Sequence, residues 1–180
     1  MTNPNAEIFV FCPSCGRPAL FPRTAKSFSC RECEFVFYIN CAAAAMALIF
    51  NDEKNLLVTR RKKDPAKGRL DLPGGFAEPG ETIEQGLARE LKEELNLDLV
   101  HLEYLCSASN TYPYEKVVYP ITDMAFVCRV SGFENIRARD DVQEFLFVNL
   151  ADFDLDRFGM PSPKEAVRFY MNRFQGIKKP

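Results

Sequence analysis

The sequence lacks a basic excess, an apolar segment long enough to cross a membrane, and more than one histidine. Its 23 Lys and Arg residues against 25 Asp and Glu give a formal net charge of −2, which argues against a general nucleic-acid binder. The apolar stretch 42–50 has about half the length that a transmembrane helix needs. Because the N-terminus also lacks a basic region followed by an apolar signal core, we expect a cytoplasmic protein.

The composition is that of a globular chain. The 180 residues are 47% hydrophobic and 27% charged, which predicts one full domain and room for a small extra one. No internal repeat or low-complexity tract interrupts it. We place the boundary between residues 1–40 and residues 41–175.

The N-terminal part contains two Cys-x-x-Cys pairs separated by 14 residues. Two such pairs supply four thiolates from two tight turns, an arrangement that suits tetrahedral Zn²⁺ and predicts a zinc ribbon. A module of about 40 residues buries too little core to fold alone, so the metal would supply much of its folding energy. The predicted zinc ligands are Cys12, Cys15, Cys30 and Cys33.

Two other uses of the ribbon remain open beside a structural zinc site. A rubredoxin-like iron site would use the same thiolates, although one-electron chemistry would have no evident use in this chain. A nucleic-acid contact would use the basic residues of the module, Arg17, Arg23, Lys26 and Arg31. The remaining cysteines, Cys41, Cys106 and Cys128, lie in apolar, strand-like sequence, and we expect buried thiols there.

A glycine turn followed by an acid-rich helix occupies residues 75–97. Pro79-Gly80 ends the turn, and the helix runs from Thr82 to Leu95. Leucines at every fourth position mark its buried stripe. The neighbouring face carries Glu90, Glu93 and Glu94, whose like charges repel one another unless a cation sits among them. Such an oxygen-rich cluster suits Mg²⁺, and the alternative is a solvated acidic face with pairs such as Arg89–Glu93.

Strands surround this helix in the predicted main domain. We expect a buried strand at 42–50 rather than an alanine-rich helix, with its hairpin partner at 55–61. Further strands are predicted at 99–108, at 117–130 with an interruption near Pro120, and at 142–148. An amphipathic helix is expected at 162–174. This order predicts an α/β fold with a mixed sheet between helical layers.

The segment 75–97 resembles the Nudix box. Over these 23 residues, every fixed position of the Nudix pattern is matched except one. The exception, Asn96, replaces a glycine that ends the helix in a left-handed conformation, which Asn also tolerates. The resemblance implies a Nudix α/β/α sandwich preceded by the zinc ribbon. The matching residues are Gly75, Glu81, Arg89, Glu90, Leu91, Glu93, Glu94, Asn96 and Leu97.

The resemblance also implies an activity, the hydrolysis of a nucleoside diphosphate linked to another group with Mg²⁺ or Mn²⁺ bound. Glu90 and Glu94 are the first candidate metal ligands, followed by Glu93 and the Gly74 carbonyl, and Glu81 would brace the turn or bind metal through water. Arg89 would orient the glutamates. A further acid from outside the helix would join the metals or act as base, and we expect Glu144 first and Asp141 second.

The ribbon together with the box resembles the NADH pyrophosphatase branch of that family. Its downstream signature, Ser-Gln-Pro-Trp-Pro-Phe-Pro, is only partly retained in Ser109-Asn-Thr-Tyr-Pro-Tyr114. NADH, NAD, ADP-ribose and FAD therefore all remain candidate substrates. Tyr112 and Tyr114 would stack on a purine or nicotinamide ring, or else pack within a loop. Basic residues that enter the glycine turn, Arg60 first among them, would face the diphosphate.

Two other functions remain open, a nucleotide sensor and an enzyme that removes a nicotinamide-type cap from RNA 5′ ends. All box acids are present, whereas a sensor could lose them, and the chain has no room for a DNA-binding helical domain. The expected partner is thus a small nucleotide rather than nucleic acid or a membrane. The family resemblance implies a homodimer.

Overall fold

The computed structural model describes residues 2–175 and divides the chain into two units. One unit runs to Ala42 and includes Thr111–Ile121, and the other comprises Ala43–Asn110 and the chain from Thr122 onward. Among the described residues, no helix is both long and apolar enough to span a membrane.

The first unit contains a three-stranded antiparallel sheet. Its strands are β1 (Leu20–Thr24), β2 (Ser27–Cys30) and β3 (Val36–Tyr38), in that order across the sheet. Phe28 is fully buried at the centre of a small core that also holds Cys12 and Cys30. The short strands between the cysteine pairs are those expected of a ribbon.

The second unit is built on two sheets and two main helices. Strands β4 (Ala42–Ile49), β7 (Gly74–Phe76), β8 (Leu99–Tyr114) and β9 (Val117–Val130) form a sheet in the order β7-β4-β9-β8. Strands β5 (Leu56–Arg61), β6 (Leu70–Asp71) and β10 (Val142–Val148) form the other, in the order β10-β5-β6. The helices are α1 (Ile83–Leu95) and α2 (Pro161–Tyr170), and a π-helical turn, Met171–Gln175, follows α2.

The side-chain alternation of β4 shows how the layers form. Met46 and Leu48 pack in a core with Ala166 and Val167 of α2. The alternate residues, among them Ala47, pack with the α1 leucines instead. Because strand side chains point to opposite faces, the helices cover opposite sides of the sheet. The predicted α/β fold with helical layers is confirmed. The pairings of β5 with β10 and β6 and of β4 with β7 are antiparallel, and the bridge from Leu70 to Phe158 is parallel, so both kinds of pairing occur.

Three local predictions are wrong. Among the described residues, a single bridge, Phe50–Leu56, links the end of β4 to the start of β5. The two strands are not hairpin partners, because β4 pairs with β7 and β9 while β5 pairs with β10 and β6. Strand β9 continues through Pro120, since proline suits extended backbone and removes only one N–H from a ladder. Cys41 is exposed and Cys106 is half-buried, contrary to the prediction that both are buried, whereas Cys128 is buried as expected.

Candidate active site

The ends of α1 are fixed by local capping. The Thr82 hydroxyl accepts the backbone N–H of Gln85, and the Gln85 side chain accepts the N–H of Thr82, so both form a capping box. At the other end Asn96 adopts φ 56°, the left-handed conformation expected of the residue that replaces glycine there. Leu87, Leu91 and Leu95 are fully buried. The predicted helix and its leucine stripe are confirmed.

The glycine turn of β7 approaches the helix through its backbone. Gly74 has φ +137°, and a Cβ there would collide with the Ala45 carbonyl oxygen. Its N–H donates to Glu94 Oε2 at 3.1 Å, and among the described residues this is the one hydrogen bond to the Glu94 side chain. A glycine is therefore required where strand β4 lies closest, and the turn holds the Glu94 carboxylate.

Gly75 makes room for a second carboxylate. A Cβ at this position would lie 2.5 Å from Glu90 Cδ and 2.6 Å from Oε1, distances that packed carbon atoms do not reach. The Glu90 carboxylate therefore lies directly over the Gly75 backbone. The turn and the helix together bring Glu90 and Glu94 to the same place.

Arg89 lies among three glutamates. Its Nε and Nη2 contact both oxygens of Glu81 at 2.8 and 3.1 Å, and Nη1 contacts Glu90 at 2.9 Å and Glu93 at 3.0 Å. Nη2 also donates to the Phe76 carbonyl at 2.9 Å. The Arg89 hydrogen bonds hold the pKa of Glu81 below its usual range. One guanidinium thus fixes the turn and the glutamates relative to each other.

The two central carboxyls carry raised pKa values. Burial raises the pKa of Glu94 to about 8, and Glu90 and the nearby aspartates add to the rise. Burial likewise raises the pKa of Glu90, with Glu93 and Asp140 contributing. A divalent cation among these oxygens would offset the repulsion and favour the ionised carboxylates. This oxygen donor set fits Mg²⁺ or Mn²⁺.

The two candidate bases outside the helix are held in ion pairs. Glu144 Oε1 lies 2.5 Å from Arg60 Nε, and Arg60 also donates to the Gly68 carbonyl at 2.7 Å. Asp141 pairs with Lys63. Asp141 contributes to the raised pKa of Glu94, so its charge lies within electrostatic reach of the helix acids.

The sequence reasoning overlooked Asp71. Its Oδ2 accepts from Arg61 Nη1 at 2.7 Å, and burial raises its pKa despite that ion pair. Its charge also raises the pKa of Glu94. The available signal was an acid between two leucines, in Leu70-Asp71-Leu72, because an acid buried among apolar side chains needs a partner.

The four predicted zinc ligands converge in the first unit. Their sulfur atoms all lie within 4.8 Å of one another, and Cys12–Cys33 and Cys15–Cys30 are each 3.7 Å apart. A tetrahedral site with Zn–S bonds of about 2.3 Å places its sulfurs about 3.8 Å apart. The geometry therefore fits a zinc ion, and all seven cysteines are free thiols.

The two candidate stacking residues belong to a different unit of the chain from the glutamates. Tyr112 and Tyr114 are on the last part of β8, within the segment Thr111–Ile121 that belongs to the first unit. They lie on a strand rather than in a loop, and Tyr114 is exposed. Their role in binding a substrate stays a prediction.

Gly75→Ala should weaken divalent-cation binding without unfolding the chain. The new Cβ would displace the flexible end of Glu90, and disturbing a metal ligand in this way typically costs 10–100-fold in affinity, so we expect roughly tenfold. Mn²⁺ binding followed by electron paramagnetic resonance measures the effect.

Gly132→Ala is the matched control, because its Cβ would likewise displace a carboxylate, that of Glu134, outside the proposed site. Equal Mn²⁺ affinity of the Gly75 variant and the unmodified protein would show that Glu90 does not bind the ion.

Comparison with known proteins identifies the family. The NUDIX domain model matches residues 41–169. An NAD-capped RNA hydrolase NudC of Pseudomonas putida is 25% identical over 170 residues, which cover 94% of this chain and 59% of the relative. An ADP-ribose pyrophosphatase of Methanocaldococcus jannaschii is 36% identical over 119 residues, 65% of this chain and 67% of the relative.

Solved structures agree on the fold. A NUDIX hydrolase of Nitrosomonas europaea superposes with a TM-score of 0.63 at 22% identity and covers 92% of each chain. The chain spans about three fifths of the length of the NudC relatives that it matches. The resemblance predicted from residues 75–97 is confirmed: the chain belongs to the NUDIX domain family.

Proposed function

We propose that this protein hydrolyses the pyrophosphate bond of a nucleoside diphosphate linked to a second group, and that it releases a nucleoside monophosphate. The observation that carries the proposal is the convergence of Glu90 and Glu94 on the glycine turn. NADH, NAD, ADP-ribose and FAD share the required diphosphate. The names of the relatives, an NAD-capped RNA hydrolase and an ADP-ribose pyrophosphatase, support this substrate class.

The helix acids have the chemistry to hold Mg²⁺ or Mn²⁺. Glu90 and Glu94 are the proposed ligands, with Glu93, the Gly74 carbonyl and Glu81 completing the set directly or through water. When bound, such an ion lowers the pKa of water and neutralises charge on phosphoryl oxygens. Arg89 orients the glutamates through the contacts described above.

The remaining groups would position substrate and water. Glu144 is the first candidate to accept a proton from the attacking water, and Asp141 is the second. The contact with Arg60 uses only one Glu144 oxygen, and Arg60 places a cation at the start of the basic loop for the diphosphate. Tyr112 and Tyr114 offer faces for a purine or nicotinamide ring.

The four thiolates are proposed to bind structural zinc. Their spacing fits Zn²⁺, and thiolate ligands persist in a reducing compartment, which supports a cytoplasmic location. A homodimer is proposed from the family resemblance alone.

The activity is tested by incubating the purified protein with Mg²⁺ or Mn²⁺ and either NADH or ADP-ribose, and by measuring AMP chromatographically. AMP with reduced nicotinamide mononucleotide from NADH would place the protein in the NADH branch despite its altered signature. AMP from ADP-ribose alone would identify a different preference. No AMP from either substrate would contradict the proposal and favour RNA ends or nucleotide sensing.

A second candidate is the removal of an NAD cap from RNA. The names of the NudC relatives favour it, as do the basic residues of the ribbon, although Arg17 pairs with Glu32 and Arg31 lies over the Phe21 ring. RNA bound through phosphates would lose affinity steeply with salt. Equal hydrolysis of free NAD and capped RNA at all salt concentrations would argue against an RNA contact.

A further inference from the structure

The segment Thr111–Ile121 forms one unit with the four-cysteine module although it is far from it in sequence. This segment, here called the tip, joins the ends of β8 and β9 and carries Tyr112 and Tyr114. Whatever holds the tip to the N-terminal module therefore also holds the two tyrosines.

The side chain of Asn5 binds the tip directly. Its Nδ2 donates to the Val118 carbonyl at 2.9 Å, and its Oδ1 accepts the Val118 N–H at 2.8 Å. The carboxamide thus satisfies both main-chain groups of one residue, as a neighbouring strand would. Asn5 is only 2% exposed and Val118 is half-buried.

Asn5 is in turn connected to the core around the cysteines. Its carbonyl accepts the backbone N–H groups of Ile8 and Phe9 at 3.1 and 3.3 Å. The Phe9 ring packs edge-on against Phe28, with centroids 5.5 Å apart, and Phe28 shares its core with Cys12 and Cys30. A continuous set of contacts therefore runs from the metal-binding thiols through Phe9 and Asn5 to the tip.

An open pocket of about 420 Å³ lies beside this contact, and Asn5 lines it together with Val118 and Pro120 of the tip and with Ile39 and Cys41 of the N-terminal module. Side chains do not fill the space between the tip and the module at this point. The two bonds of Asn5 to Val118 nevertheless join them directly.

We propose that Asn5 is a positioning residue for substrate binding: through Val118 it holds the tip that carries Tyr112 and Tyr114. The four-cysteine module then contributes to substrate binding by supporting Asn5. The proposal rests on the proposed function, because it assigns the tip the task of binding the ring of the substrate.

Hydrogen exchange tests the attachment without any activity. In the zinc-loaded protein, the peptide that contains Val118 should be protected. Asn5→Ala should speed the exchange of the Val118 amide roughly tenfold or more, because its N–H loses the Asn5 Oδ1 acceptor. Retention of one zinc ion per chain would show that the ribbon of the variant is folded. Asn5→Asp keeps the acceptor but loses the donor, and it should give an intermediate loss of protection.

Ser27→Ala is the matched control. Ser27 is as buried as Asn5 and bonds the Thr24 hydroxyl within the ribbon at 2.6 Å, so its loss should leave the exchange of the tip unchanged. Unchanged protection in both Asn5 variants, or equal loss in Ser27→Ala, would overturn the proposal that Asn5 holds the tip.

Steady-state kinetics test the consequence for substrate. For ADP-ribose or NADH, whichever the protein hydrolyses, Asn5→Ala should raise KM roughly tenfold and change kcat less than about twofold, because a misplaced ring-binding surface weakens uniform binding. A fall in kcat at unchanged KM would overturn the positioning role. If the unmodified protein releases no AMP, the proposed function fails, while the exchange experiment still decides whether Asn5 holds the tip.

Discussion

Replacing Glu94 by glutamine lowers kcat for AMP release roughly 10²–10³-fold, the loss expected when one preorganised charge-stabilising group is removed from an active site. The Glu94 carboxylate is held by the Gly74 N–H and lies close enough to Glu90 for the two charges to affect each other. Glutamine keeps the shape and one oxygen for that N–H, but it cannot supply the negative charge that a divalent cation requires.

The fold should survive this substitution. Glutamine is neutral, as a protonated Glu94 would be, and it adds no repelling charge to the acidic cluster, so thermal unfolding should occur at the same temperature or a higher one in the absence of divalent ions. Glu84→Gln is the matched control, since Glu84 lies in the first turn of the same helix and outside the proposed site. A loss below about threefold for Glu94→Gln would remove Glu94 from the set of metal ligands.

Replacing Cys30 by serine should release the proposed zinc ion and unfold the N-terminal module. Cys30 is 2% exposed and lies in the same core as Phe28. Structural zinc sites have apparent binding free energies on the order of 10 kcal/mol or more, and one of four thiolates accounts for about a quarter of this. Zinc affinity should therefore fall roughly a hundredfold. Metal analysis after dialysis against a zinc-buffered solution and the far-ultraviolet circular dichroism spectrum measure the two effects.

Cys41→Ser is the control for a general effect of losing a thiol. Cys41 is exposed and stands outside the four-cysteine cluster, so this variant should keep one zinc ion per chain. Full retention of zinc by Cys30→Ser would contradict the four-thiolate site. Binding of iron in preference to zinc by the unmodified protein would favour the rubredoxin-like alternative.

The parts of the fold that the sequence predicted are those governed by local signals. The capping residue Thr82, the leucines at every fourth position and the left-handed Asn96 are all encoded within α1 and its ends. The cysteine pairs likewise predicted a cluster whose geometry depends on two short turns. The acids of the box could be placed on one face because helical spacing fixes their positions.

What the sequence did not predict depends on contacts between distant segments. Asp71 acquires its Arg61 partner through strand pairing, and Glu144 meets Arg60 across two strands 84 residues apart. The Asn5–Val118 hydrogen bonds join residues 113 positions apart, and no sequence pattern around Asn5 predicts them. The predicted pairing of β4 with β5 is wrong because adjacency in sequence favours a hairpin, whereas β4 pairs with β7 and β9, and β5 pairs with β10 and β6.

Mn²⁺ binding to the zinc-loaded protein shows whether the acids of α1 hold the proposed divalent cation. Electron paramagnetic resonance of free Mn²⁺ during titration gives the affinity of the unmodified protein, Glu94→Gln and Glu84→Gln. We expect saturable binding that Glu94→Gln weakens at least about tenfold and Glu84→Gln leaves unchanged. Equal affinities for all three proteins would contradict this expectation.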